Sequence, residues 1–484
     1  MSHALVWFRR DLRLADNPAL MAAIESGQTP IPVYIHDEPS GSWPMGAASA
    51  WWLHHSLSAL QQSLRQLGSD ILLFRGDAET IINDLVEQHQ CTAVYWNRCY
   101  EPESIARDKR IKQRLLDGDI DCQSFNGSLL IEPWQHLKKD QTPYRVFTPF
   151  WKALTARLGF MAVRPAPEQL PAMPAAVKNK TLSVDDLELL PRIPWDKEIR
   201  LSWTPGEAGA HAQLDRFVEE AMIDYSAARD IPSKTGTSRM SPHLHFGEIS
   251  PQQVWNFVHQ LMQQDPGAGV IKGGEAFLRE VGWREFSYHL LYHFPHTPDQ
   301  ALDQRFNNFP WRDDYDSDLK RWQQGQTGIP IVDAGMRELW RTGWMHNRVR
   351  MIVASLLTKN LLIPWQEGAR WFWDTLVDAD LASNTQGWQW TAGCGADAAP
   401  YFRIFNPVLQ GERFDPEGKY VRRWVPELKN LPDKWVHKTW EAPESALGEA
   451  GVALGIDYPK PIVDLSTSRK RALERWDSVK KQER

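Results

Sequence analysis

The stretches ALVWF at Ala4–Phe8, IPVYIH at Ile31–His36, DILLFRG at Asp70–Gly76 and TAVYWNR at Thr92–Arg98 decide the fold of the first part of the chain. Each is short, rich in β-branched and aromatic residues, and bounded by glycine, proline or polar residues. Amphipathic stretches of helical length, Ala50–Leu67 and Ala78–His89, lie between them. Strands separated by such helices predict βαβ units, and hence a parallel sheet covered on both faces. No GxGxxG follows the first strand, which argues against a standard dinucleotide site and a nicotinamide dehydrogenase.

Further along, RPAPEQLPAMPAA and LLPRIPW make the chain from Arg164 to Pro205 rich in proline and charge, a composition that resists regular structure. Beyond it the apolar period becomes helical, over Leu214–Arg229, Pro251–Gln263, Gly274–His293, Val332–Thr342, Val349–Asn360 and Trp365–Val377. We therefore expect an α/β domain with a Rossmann-like parallel sheet over 1–131, an interdomain connector over 132–205 and an all-helical domain over 206–484. The final SRKRALERWDSVKKQER reads as a charged, solvated helical end.

The composition agrees with two packed cores. The chain has 484 residues, of which 42% are hydrophobic, more than one ordinary domain needs. A net charge of −6 argues against a uniformly basic coat, so any nucleic-acid site must be local. The cysteines, Cys91, Cys99, Cys122 and Cys394, form no CxxC pair and suggest neither disulfides nor zinc. No secretory leader or run of about 18 apolar residues is seen, so a cytoplasmic protein without a membrane span is expected. Of the 24 tryptophans, 15 fall from Trp255 onward; most should be core, a minority stacking or redox groups.

Four stretches carry chemistry. TGTSRMSPHLHFGEISP, Thr235–Pro251, sets small hydroxyl residues, glycine and Arg239 before a helix that begins near Ser250; it suits a diphosphate cradle or a plain capped loop. His243 and His245 alternate like strand or loop residues and, without Cys or acidic partners, are not read as metal ligands. In EAFLREVGWREF, Phe277, Glu280 and Arg284 share one helical face with Trp283 beside them, which gives either a wall for a flat hydrogen-bonding base or a Glu280–Arg284 ion pair over packed rings. In GWMHNRVRM, Trp344, Asn347, Arg348 and Met351 project to one side, leaving Arg350 to pair with a carboxylate. DADLASNTQGWQW offers Asp378 and Asp380 to Arg350 or to a cofactor's ring N–H or ribose, and Asn384 as a neutral amide. So many polar groups in apolar surroundings point to a bound polar partner, which we read as a flavin.

From WFRRDLRLADNPAL at the start, through GWMHNRVRM, WQW and YFRIFNP, to the closing YPKPIV, the chain resembles the photolyase and cryptochrome family over nearly its whole length. The resemblance implies an N-terminal α/β domain for a light-harvesting chromophore, a helical domain holding FAD, and a DNA lesion flipped into a hole above the flavin. It further implies light-driven repair of cyclobutane pyrimidine dimers by electron transfer from photoexcited reduced FAD to the flipped-out lesion, with no net redox change. The enzyme would be a deoxyribodipyrimidine photolyase, acting as a monomer on DNA containing pyrimidine dimers. The alternative is a cryptochrome-like blue-light photoreceptor that signals through flavin photoreduction; the lack of a long extension after Val463 speaks against it.

Carried over to this chain, the resemblance places Tyr225, Thr237, Ser238, Arg239, Met240 and Ser241 at the FAD phosphates and ribityl chain. Phe277, Arg284, Asn347, Asp378, Ala379, Asp380 and Asn384 would complete the flavin site. Glu280, Trp283, Asn347, Arg348, Met351 and Trp390 would line the lesion pocket, with Arg229 and Gln410 at the DNA backbone. Trp388, Trp365 and Trp311 match the indoles that relay electrons from the surface, and Trp371 and Trp373 offer a branch. The neutral amide of Asn384 is the repair-type residue, where plant cryptochromes carry aspartate. Asn347-Arg348 stands where six-four photolyases carry histidine, which favours cyclobutane dimers. Phe277 replaces a common tryptophan, and ASNTQGWQW departs from the usual ANNGGWQW. For the antenna, the family suggests 5,10-methenyltetrahydrofolate or an 8-hydroxy-5-deazaflavin, with Arg9, Asp37, Glu38 and Glu103 as groove residues; Ser104 aligns with a glutamate of folate-binding relatives.

Overall fold

Residues 2–37, 41, 43–173, 181–401 and 403–481 are described by a computed structural model. Strands β1 (His3–Phe8), β2 (Thr29–His36), β3 (Leu72–Arg75), β4 (Cys91–Asn97) and β5 (Asp121–Phe125) form one sheet in the order β3-β2-β1-β4-β5. Every pairing is parallel, with Leu5 opposite Ile31 on one side and Val94 on the other. Between the strands run α1 (Pro18–Glu25), α2 (Ala47–Gln66), α3 (Ala78–Gln88) and α4 (Pro102–Asp117). The four strands read from sequence are present. The fifth, DCQSF, escaped because it lies at the sheet edge and only Cys122 is buried, so it carries almost no hydrophobic signal.

The central strands are buried along nearly their whole length, and Leu5, Trp7, Ile31, Val33, Val94 and Trp96 share one core. Strand order reverses at β1, which opens the carboxyl ends of β1 and β4. The polar residues of RRDLRLADN fill this end as a closed network: Asn97 Nδ2 donates to Asp11 Oδ2 (2.6 Å) and to Asn17 Oδ1 (2.8 Å). Fully buried Arg13 donates to the carbonyls of Asp16 (2.7 Å), Gly127 (2.7 Å) and Gly247 (2.9 Å). Pairing of this kind is what makes burial of a guanidinium tolerable.

The rest is helical: α5 (Phe147–Thr155), α6 (Lys197–Ser202), α7 (Glu207–Glu220), α8 (Tyr225–Ala228), α9 (Ser241–His245), α10 (Pro251–Gln264), α11 (Ala268–His293), α12 (Asp316–Gln323), α13 (Pro330–Thr342), α14 (Asn347–Ser355), α15 (Trp365–Thr375), α16 (Leu381–Ala392), α17 (Pro407–Phe414), α18 (Lys419–Trp424), α19 (Glu444–Ala450) and α20 (Leu465–Lys481). Helix α10 starts where its sequence signature puts it. Ser250 accepts from Gln253 N, the Gln253 side chain returns the bond, and Pro251 follows the cap.

Three readings need correction. The Leu214–Arg229 pattern is two helices, because Ala221 leaves helical geometry (φ −132°, ψ −22°) between α7 and α8. Val349–Asn360 is not one α-helix either: α14 passes into a π-helical turn, Leu356–Asn360, whose five residues are all buried and so show no periodicity. The C-terminal helix is not a solvated tail, since Ala472, Trp476 and Val479 are buried and Trp476 stacks on Phe306 and Tyr401 at 5.1 Å each.

The chain divides into two compact units. One comprises Met1–Ile223, Ser238–Pro295 and Val377–Asp380, the other Asp224–Thr237, His296–Leu376 and Leu381–Arg484. The stretch 132–205 lies within the first and carries α5 and α6. In that unit α11 comes close to α5 at Gly282, where an added Cβ would lie 2.3 Å from the Trp151 ring. Gly282→Ala should therefore lower unfolding stability by about 1–3 kcal/mol through overpacking, read from urea denaturation.

Candidate functional site

In the first unit, the turn before α9 is shaped by Arg239, which adopts left-handed backbone geometry (φ 54°) and lays its guanidinium over the Trp203 ring at 4.0 Å. Gln213 Nε2 holds the carbonyl of Ser238 (2.8 Å). The exposed Ser241 donates to Asp378 Oδ2 at 2.6 Å, and Met240 behind it is buried. The Val377–Asp380 tetrapeptide is thus met by the hydroxyl turn at Asp378.

Asp380, 5% exposed, accepts from His245 Nδ1 (3.1 Å) and from the Tyr288 hydroxyl. Burial by itself would raise its pKa, but the hydrogen bonds from His245 and Tyr288 and the Arg284 charge outweigh this and hold it well below the usual carboxylate range. Burial pushes the His245 imidazole down against the pull of Asp380, and its Nδ1–H donates to the carboxylate. His243 pairs with buried Glu248, which also accepts from Trp52 Nε1 (2.9 Å) and Gly206 N (2.7 Å). The two histidines lie in a short helix and do have acidic partners, contrary to their strand-like, unpartnered reading; Glu248 lies in the same stretch as His243, and Asp380 is brought to His245 by folding.

Helix α11 forms the neighbouring wall. Arg284 donates to the carbonyls of Ser128 (2.7 Å) and Leu244 (3.4 Å) and to Glu285 Oε1 (3.3 Å), so its guanidinium turns to these groups and not to Glu280. Glu285, 3% exposed, also accepts from Leu130 N (2.8 Å). Burial pushes its carboxyl up to about 7 despite Arg284 and the backbone donors. Phe277 is buried against Phe217, with ring centroids 4.6 Å apart. Glu280 and Trp283 are half-buried, and one face of Trp283 is covered by Phe147 in a parallel stack at 3.8 Å.

The second unit holds the other expected residues. Tyr225 is buried beneath the Arg229 guanidinium (5.5 Å). Arg348 pairs with Asp230 (2.8 Å) and lies over Phe414 (4.4 Å). Asn347 is exposed at the first turn of α14, and His346 caps that helix by accepting from Arg348 N (3.2 Å). Arg350 donates to the Met345 carbonyl (2.7 Å). Thr237, Met351, Trp390 and Gln410 are half-buried, as is Asn384, whose Nδ2 donates to the Ala369 carbonyl on α15 (3.0 Å). Trp388 packs edge-on against Phe372 (5.0 Å) and Trp322 (6.2 Å), in a notch at Gly368 where a Cβ would lie 2.0 Å from its ring. Trp388 and Trp365 are buried, whereas Trp311 is half-exposed.

Sequence reasoning missed Tyr288, Glu285 and Asp230, and gave His245 no partner. Only Glu285 had a local signal, its place beside Arg284; His245 and Asp380 are 135 residues apart. Of the groove residues, Glu38 lies outside the described residues. Arg9 pairs with Asp108 (2.6 Å), Asp37 with Arg107 (2.9 Å), and both guanidiniums lie over Trp7. Among the described residues no helix is long and apolar enough to cross a membrane.

Residues 4–174 match a family model described as DNA photolyase, and residues 277–478 one described as the FAD binding domain of DNA photolyase. The chain is 51% identical to a deoxyribodipyrimidine photo-lyase of Agrobacterium fabrum, over 99% of this chain and 98% of that one. It is 41% identical to cryptochrome-2 of Arabidopsis thaliana, over 96% of this chain and 77% of that one. Among solved structures, a bacterial class III photolyase from Agrobacterium tumefaciens superposes with a TM-score of 0.95 at 50% identity, covering 99% and 98% of the two chains.

Glu285 gives a signed pH prediction. Its folded pKa, about 7, lies above its ordinary value of 4.5, so the folded state binds the extra proton and this group's contribution to stability falls as pH rises from 4.5 through 7. Glu285→Gln removes that loss. Relative to the native protein the variant should gain stability across this window, by at most about 3 kcal/mol, measured by denaturation at several pH values.

Proposed function

Because the chain belongs to the DNA photolyase and cryptochrome family, we propose that it is a deoxyribodipyrimidine photolyase, which binds FAD and splits cyclobutane pyrimidine dimers in DNA under blue light. The observation that carries this reading is the 51% identity, along 99% of the chain, with an enzyme named for that reaction. The donor chemistry suits the cofactor. Thr237, Ser238 and Ser241 hydroxyls and the Arg239 guanidinium are donors for a diphosphate, with Met240 between them in sequence and Tyr225 upstream. Anionic Asp380, with Asp378, Ala379, Arg284, Phe277, Asn347 and Asn384, would surround the ring system. When bound, FAD would supply photoinduced one-electron chemistry with no net redox change.

The chain's own residues do the rest. A dimer has lost aromaticity at both pyrimidines and stacks poorly in duplex, so flipping it out costs less than flipping a normal base. The resemblance assigns Trp283 and Trp390 to stacking on it, and the half-buried Glu280, when protonated, to donating a hydrogen bond to a pyrimidine carbonyl, where charge develops. The resemblance assigns Asn347, Arg348 and Met351 to the lesion as well, and the Arg348 guanidinium is oriented by Asp230. Arg229 and Gln410 contact the DNA backbone. Trp311, Trp365 and Trp388 pass electrons inward, a role supported by their gradient from half-exposed to buried. The protein acts as a monomer in the cytoplasm. A second chromophore, 5,10-methenyltetrahydrofolate or else an 8-hydroxy-5-deazaflavin, would be held by the Arg9, Asp37 and Glu103 groove and would supply light harvesting; the absorption spectrum of the pure protein tells the two apart. A light-sensing reading is supported by the 41% identity with the plant cryptochrome.

Protein with reduced FAD should restore dimer-containing oligonucleotides in blue light and not in darkness; equal yields in both would end the photolyase reading. In Asn384→Asp, a carboxylate would face the Ala369 carbonyl, where the native amide donates. The variant should keep FAD but hold a proton on the introduced carboxyl, changing the photoreduction spectra. Trp388→Phe should slow photoreduction at least tenfold, an order-of-magnitude expectation for losing one link of the relay, and leave repair by pre-reduced enzyme intact.

A further inference from the structure

Trp283 and Phe147 make the tightest ring pair in the first unit's wall, 3.8 Å between centroids and 7° between planes. Phe147 is fully buried and opens α5; Trp151, one turn later, lies nearly parallel to it (6.2 Å, 11°) and fills the notch that Gly282 leaves in α11. Phe150, between them, packs on Phe286 at 5.1 Å. The Phe147 ring is therefore held by a helix docked on both sides of Trp283, and the Arg279 guanidinium, one turn before Trp283, lies 5.1 Å over it. A half-exposed tryptophan without such backing samples several rotamers and must be immobilised when a ligand stacks on it.

We propose that Phe147 is a positioning residue for lesion recognition: by covering the inner face of Trp283 it holds the indole in the orientation from which its outer face stacks on the flipped dimer. The inference rests on the proposed role of Trp283 at the lesion. Phe147 touches neither DNA nor flavin in this scheme. It acts before binding, by removing the entropy cost of ordering Trp283, so its effect falls on affinity for damaged DNA and not on the yield of the bound complex.

The test compares Phe147→Leu, Phe147→Met, Trp283→Ala and the doubles with Trp283→Ala, all as FAD-loaded full-length protein. Bound FAD, photoreduction rate, affinity for dimer-containing and undamaged oligonucleotides, and repair per absorbed photon at saturating DNA are measured. Both Phe147 variants should weaken dimer binding roughly three- to tenfold, the worth of one aromatic pair, with the other readouts unchanged and no further loss in the Trp283→Ala background. If Leu impairs folding, the unbranched Met variant carries the comparison. Native dimer affinity in both Phe147 variants, with a loss in Trp283→Ala, overturns the positioning role and leaves the lesion reading standing. Equal losses on damaged and undamaged DNA, or additive losses in the doubles, also overturn it. Unchanged dimer binding in Trp283→Ala overturns the lesion role of Trp283, and the inference with it.

Discussion

A buried anion organises the first unit. Asp380 is almost wholly removed from water, and an unpaired carboxylate there would cost several kcal/mol. Its donors come from segments far apart in sequence, His245 on α9 and Tyr288 on α11, with the charge of Arg284 nearby. Satisfying Asp380 requires those helices to be in place together. It also accounts for the assignment of Val377–Asp380 to this unit, although α15 and α16 on either side of it belong to the other. Arg284 in turn is oriented by Ser128, Leu244 and Glu285, so the charge that stabilises Asp380 depends on a second buried carboxylate of opposite tendency.

The same economy of position applies to the aromatic residues. Trp7, Trp51, Trp52, Trp96, Trp322 and Trp365 are among the largest fully buried side chains, as expected of indoles in packed cores. Trp283 and Trp390 keep a surface available, and Trp311 completes a gradient of exposure with Trp365 and Trp388. Trp283 has one face braced by Phe147 in a parallel stack. Phe147 lies in a stretch that reads from sequence as a connector, yet α5 is packed into the first unit through Phe147, Phe150 and Leu154, all fully buried.

Membership of the photolyase and cryptochrome family gives these features a shared context, and within it Asn384 is informative for a local reason. Its amide nitrogen is committed to the Ala369 carbonyl, so the residue must be a donor at that atom. An acid could replace it only by keeping a proton. The choice between amide and acid at this position is thus tied to the backbone of α15.

What the sequence determined by itself is what local physics encodes. The apolar strands β1 to β4 announce themselves because a parallel sheet buries both faces, and α10 because its cap residues are adjacent in the chain. The motifs from GWMHNRVRM to WQW were legible as a polar cluster in apolar surroundings, and they carried the family resemblance. The edge strand β5, the π-turn at Leu356–Asn360 and the burial of α20 were not legible, since a strand with one buried residue, a turn buried all round and a charged helix with few buried residues lack a decisive periodic signal. Only the tertiary structure decided the partners: His245 and Tyr288 for Asp380, Asp230 for Arg348, Phe147 for Trp283. Hydrogen bonds and ring stacks between residues so far apart in the chain leave no trace in local pattern, because their energy depends on distances that exist only once the chain has folded.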